Sequence, residues 1–90
     1  MITRTATVGA SVGLHARPAA LFAQAVDETE LDVTIAFDGE EADAASALDI
    51  MTLGIKGGDT VTISTDEDGA EADAHMDALA ALLARDLDAE

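Results

Sequence analysis

Three patterns in this 90-residue chain predict an α+β fold of order βαββαβα, a four-stranded antiparallel sheet covered on one face by three helices. Apolar and polar residues alternate near both ends of the first forty residues and again past residue 60. Apolar residues recur at helical spacing between those stretches, and Asp38-Gly39 marks a tight hairpin.

The first strand is read from Ile2 to Val8, with Ile2, Ala6 and Val8 on one face and Thr3, Thr5 and Thr7 on the other. Gly9 and Gly13 bracket a loop. From Ala16 to about Val26 the residues Leu21, Phe22, Ala25 and Val26 fall on one helical stripe, so the first helix begins beside His15. Leu31, Val33, Ile35 and Phe37 alternate with Asp32, Thr34 and Ala36, and the Asp38-Gly39 turn leads into a short third strand over Glu40 to Ala44.

Ser46-Ala47-Leu48-Asp49 forms a capping box that opens a short helix through Leu53, which Gly54 terminates in a left-handed conformation. Gly57-Gly58 makes a turn. Thr60, Thr62 and Ser64 alternate with Val61 and Ile63 in the fourth strand, and an acidic stretch with Gly69 leads into the last helix. The inward stripe of that helix is Ala72, Met76, Leu79, Leu83 and Leu87, with Leu82 adjoining.

A chain of this size buries about two thirds of its unfolded surface and forms one domain, residues 1–90. Only Phe22 and Phe37 are aromatic, so the core is built from Ala, Val, Leu, Ile and Met. With no cysteine there are no disulfides, thiolate metal sites or cysteine nucleophiles. The opening residues alternate like a strand rather than a signal peptide, and no apolar run is long enough for a membrane span, which places the expected location in the cytoplasm.

Nineteen acidic residues against Arg4, Arg17, Lys56 and Arg85 give a net charge of −15, which excludes long-range attraction to nucleic acid or anionic lipid and leaves proteins as partners. Regular apolar periodicity and a positive mean hydropathy argue against disorder. The expected reading is adaptation to high salt, where screening over about 3 Å at 1 M relieves repulsion among the carboxylates.

The informative segment is Gly13-Leu14-His15-Ala16-Arg17-Pro18-Ala19, which sets a histidine and an arginine at the amino end of a helix. Pro18 suits a first turn, whose amides need no intrahelical partner. The positive helix end favours a bound phosphoryl group, to which the amides of Ala16 and Arg17 and the Arg17 guanidinium would donate charge-assisted hydrogen bonds. On spacing alone, a lone histidine before a helix is usually a surface residue and an arginine in a first turn usually just faces solvent. His75 lies among Asp73 and Asp77 on the last helix, yet without a recognised ligand spacing, so neither a metal nor any other cofactor is expected.

The Gly13 to Ala19 segment resembles the active-site signature of the HPr family, the phosphocarriers of the phosphoenolpyruvate-dependent sugar phosphotransferase system. Met51-Thr52-Leu53-Gly54 and Thr60-Val61-Thr62-Ile63-Ser64 are similar to that family's second motif region and following strand, so the resemblance covers essentially the whole chain. It implies an open-faced β-sandwich in which His15 takes phosphate from enzyme I on Nδ1 and hands it to an enzyme IIA domain, fructose-type or specific for another sugar. The protein is then a monomeric carrier rather than a free-standing enzyme.

The resemblance also implies a docking surface around His15 that presents Ala16, Ala20, Ala47, Leu48 and Met51, although Leu48 and Met51 are each readable as core. Ser46 aligns with a serine that regulatory kinases modify in some relatives, and it is equally the helix cap. Ala45 stands where many relatives have a basic residue, and Asp49 stands where many have glycine or lysine, so a phosphate on Ser46 would meet a carboxylate. The rival readings are a member feeding a regulatory phosphorelay and an interaction module that carries no phosphate. A hydrolase or metal enzyme would need a base, an orienting group and an enclosed pocket around the nucleophile.

Overall fold

The computed structural model describes residues 1–87, and its elements follow the predicted order. β1 (Ile2–Thr7) leads through a loop to α1 (Ala16–Thr29), then β2 (Val33–Phe37), β3 (Glu40–Asp43), α2 (Ala47–Met51), β4 (Thr60–Thr65) and α3 (Ala70–Ala84). All strand pairs are antiparallel in the spatial order β1-β4-β2-β3, so the last strand in sequence lies inside the sheet. The central strands bury their inward residues fully: Val61 and Ile63 of β4 face the helices beside Val33 and Ile35 of β2, with Ile35 directly opposite Ile63.

Helices cover the inner face. Phe22 and Val26 of α1, Ile50 of α2, and Met76 and Leu83 of α3 join those strand residues in one core. β3 is an edge strand bearing Glu40, Glu41 and Asp43, charges that discourage pairing with another chain. Among the described residues no helix is long and apolar enough to cross a membrane.

The boundaries differ from expectation where side chains intervene. α1 runs one turn past Val26, because the Thr29 hydroxyl donates to the Val26 carbonyl at 2.7 Å and accepts from Leu31 N–H at 3.1 Å, bridging the helix exit. Glu30 caps it in the left-handed region at φ 62°, so β2 begins at Val33 rather than Leu31. α2 ends at Met51; Thr52 is its C-cap, and the left-handed Gly54 follows two residues later. The hairpin is as read, with Asp38 and Gly39 both at positive φ. Leu87 is buried but lies beyond the end of α3.

Arg4 is on the inner face of β1, a position the alternation left unassigned. Its Nε donates to Asp77 at 2.7 Å and its terminal nitrogen pairs with Asp73. These two carboxylates, Asp77 foremost, hold the guanidinium pKa above its ordinary value. The clasp ties edge strand β1 to α3.

Candidate functional site

His15 is the N-cap of α1, in extended conformation, and its carbonyl accepts the first helical hydrogen bond from Ala19 N–H at 2.9 Å. Serine, threonine and aspartate prefer this position because their side chains can cap the helix. The His15 side chain makes no capping bond and is exposed, which leaves the imidazole accessible from outside. Pro18 has no N–H and Ala19 is already bonded, so Ala16 and Arg17 supply the donors of the first turn. Pro18 and Ala19 are buried beneath that turn, and no acidic residue occupies it.

The loop before His15 is fixed by backbone contact rather than by side chains. Gly9 N–H donates to Leu83 O at 2.9 Å, Gly13 N–H to Ala10 O at 2.9 Å, and Leu14 N–H to Ile55 O at 3.1 Å. Gly13 sits at φ +83°, and a Cβ there would lie 2.8 Å from the Lys56 Cα. Gly57 presses on the same loop from the other side: a Cβ would come within 2.6 Å of Ala10 O and 2.7 Å of Ser11 O. Both positions therefore require glycine. The sequence marked Gly57 only as part of a turn; its close approach depends on a contact between segments more than forty residues apart.

α1 and α2 pack side by side. Along their seam Ala16 and Ala20 are exposed, Ala47 and Met51 are half-buried, and Leu48 is 75% exposed while its neighbour Ile50 fills the core. Leu48 thus faces outward, although an amphipathic helix of this length is equally compatible with a buried leucine. Leu21, placed by periodicity on the buried stripe, is 36% exposed and borders a shallow cleft with Arg17, Gln24, Ala25, Glu28, Leu82 and Leu87. The buried stripe is instead Pro18, Ala19, Phe22, Ala23 and Val26.

Ser46 caps α2, its Oγ accepting from Asp49 N–H at 3.3 Å, and its own N–H donates to Asp43 O at 3.0 Å. His75 is directed away from Asp73 and Asp77, which pair with Arg4. It borders a cleft with Glu30, Glu67 and Glu71. Residues 73 and 77 share one helical face, whereas residue 75 lies on the opposite one.

The family model for the PTS HPr component phosphorylation site matches residues 2–85. The chain belongs to the HPr family. It is 43% identical over 89 residues to a phosphocarrier protein HPr of Streptomyces coelicolor, covering 98% of this chain and 94% of the relative. It is 34% identical over 86 residues to an HPr-like protein Crh of Halalkalibacterium halodurans, covering 96% and 100%. The crystal structure of HPr from Bacillus anthracis is similar with a TM-score of 0.81 and 38% identity, covering 91% of this chain and 95% of that one. The fold is the family's open-faced sandwich, and the function is phosphoryl carriage in the phosphotransferase system, where HPr proteins in general work between enzyme I and enzyme IIA domains.

Proposed function

We propose that His15 holds the phosphoryl group, taken from phospho-enzyme I and passed to an enzyme IIA domain, fructose-type or specific for another sugar. The observation that carries this reading is the conjunction, at one helix start, of an exposed imidazole unused in capping, the Ala16 and Arg17 amides, and the Arg17 side chain. Nδ1 attacks the donor's phosphorus: a P–N bond forms on His15 as the donor's bond to phosphorus breaks, and the reverse occurs on the acceptor. The amides and Arg17 stabilise the incoming charge. Because the P–N bond is labile, the phosphoryl group passes onward, and the protein is a carrier rather than a catalyst of its own reaction.

Ala16, Ala20, Ala47, Leu48 and Met51 form the contact patch in this reading, a small apolar centre suited to transient complexes. Ser46 is the residue open to regulatory phosphorylation. A phosphate there would displace the Oγ cap on Asp49 N–H and meet the Asp49 carboxylate, so such control is weak in this chain. A single domain, a monomeric state and a cytoplasmic location complete the reading, and the net charge of −15 opposes self-association.

Intact-protein mass spectrometry after incubation with cognate enzyme I and phosphoenolpyruvate tests the assignment. One acid-labile phosphate is expected on the wild type and none on His15→Ala; phosphate on both would move the site elsewhere. The similarity to Crh favours a second reading, a regulatory phosphorelay, which the identity of the accepting protein separates from sugar uptake.

A further inference from the structure

The acidic residues are unevenly placed. All but one of the 19 fall within residues 27–43 and 59–90; the first 26 residues have none, and residues 44–58 have only Asp49. In space, the end of the fold where α1 and β4 finish and α3 begins gathers Asp27, Glu28, Glu30, Glu67, Asp68 and Glu71, and four of these border one cleft. The opposite end, where α1 starts, presents His15, Ala16, Arg17, Ala20 and Leu21.

The first turn of α1 departs from those of the other two helices. A helix is stabilised by acidic residues in its first turn and basic residues in its last, each contributing about 0.3–1 kcal/mol. α2 and α3 carry Asp49, and Glu71 with Asp73, in their first turns. None of the three helices has a basic residue in its last turn, but α1 is the one with no acidic residue in its first, and Asp27 and Glu28 lie in its last. The open sheet face is also poor in charge on β1 and β4, but it is lined by the hydroxyls of Thr3, Thr5, Thr60 and Thr62, which suit strands and water, whereas the α1 face is apolar.

We infer that the His15 face is built to dock an acidic protein through an apolar patch, and that this association strengthens as salt rises. The inference rests on the phosphocarrier reading above. A basic partner would be drawn first to the acidic end, where no transfer occurs. An acidic partner is repelled from that end, and repulsion turns the encounter toward the face around the acceptor, where Ala16, Ala20 and Leu21 are exposed. Net repulsion between two acidic proteins slows their approach at low salt, and screening lifts it as the Debye length falls from about 10 Å at 0.1 M to about 3 Å at 1 M. Contact between apolar patches survives that screening.

The test is the association rate with purified cognate enzyme I in KCl from about 0.1 to 1 M, restricted to salt at which circular dichroism shows both proteins folded. Acid-labile phosphate on His15 is measured in parallel. The expected result is a rise of about tenfold or more with salt. The variant Asp27→Asn/Glu67→Gln/Glu71→Gln, altered only at the acidic end, should associate faster than wild type at low salt and equally at high salt. Ala20→Glu should slow association at every salt concentration. Association that falls as salt rises, or a triple variant no faster than wild type at low salt, while His15 is still phosphorylated, overturns the inference and leaves the carrier reading standing. Absence of phosphate at any salt, with an enzyme I able to phosphorylate itself, removes the carrier reading and the inference with it.

Discussion

The starts of α1 and α3 solve the same problem in opposite ways. Both helices bury an apolar stripe on the same sheet face, Phe22 and Val26 from one and Met76 and Leu83 from the other. At the start of α3, Gly69 precedes a first turn that places Glu71 and Asp73 near the positive end of the helix. At the start of α1, an exposed histidine stands where a capping side chain belongs, an arginine follows, and no carboxylate is present. α3 satisfies its own dipole, while the positive end of α1 has no carboxylate in its first turn, as the proposed phosphoryl site requires. A local rule broken at one helix and kept at its neighbour marks the site more sharply than either helix alone.

The largest expected effect breaks the comparison at its centre. His15→Ala should abolish phosphate acceptance with an unchanged circular dichroism spectrum, since the imidazole is exposed and caps nothing, whereas His75→Ala on α3 should accept phosphate normally. Loss of the native spectrum in His15→Ala would show that the residue has a structural role. In the shared core the two helices should behave alike: by chemical denaturation Phe22→Ala should cost about 3–5 kcal/mol and Met76→Ala about 2–5 kcal/mol. A much smaller loss at either position would mean that its helix is not docked as described.

Gly13→Ala should destabilise by about 1–3 kcal/mol, from its left-handed backbone, and more through the collision with the Lys56 backbone. It should also slow transfer, because the same loop sets His15. Arg17→Ala should slow transfer by about tenfold, the equivalent of one charge-assisted hydrogen bond, with little change in stability. Unchanged transfer would remove Arg17 from the mechanism. The smallest effect belongs to the cap that behaves ordinarily: Ser46→Ala should cost about 0.5–2 kcal/mol in thermal or chemical melts and leave transfer unaltered.

What the sequence made legible was local. Alternation marked the inward residues of β1, β2 and β4, Asp38-Gly39 marked the hairpin, and Ser46 marked the α2 cap, because each signal resides within a few adjacent residues. The strand order was not legible, since placing β4 between β1 and β2 depends on pairings across tens of residues. Leu21 fits a helical stripe, but α2 and α3 flank α1 and leave that edge of it uncovered. Arg4 was passed over because a charged residue interrupts an apolar face; its partners, Asp73 and Asp77, are spaced four apart on one helical face and become meaningful only once α3 lies on β1. The His15 segment was the exception, since the proposed phosphoryl site is compressed into seven consecutive residues.

The most direct test of the central claim is phosphorus NMR of the protein phosphorylated by enzyme I and phosphoenolpyruvate, with the histidine rings labelled with nitrogen-15. A phosphorus resonance coupled to the His15 Nδ1, present in His75→Ala and absent in His15→Ala, is the predicted result. A resonance that persists in His15→Ala would contradict the assignment of the phosphoryl group to the start of α1.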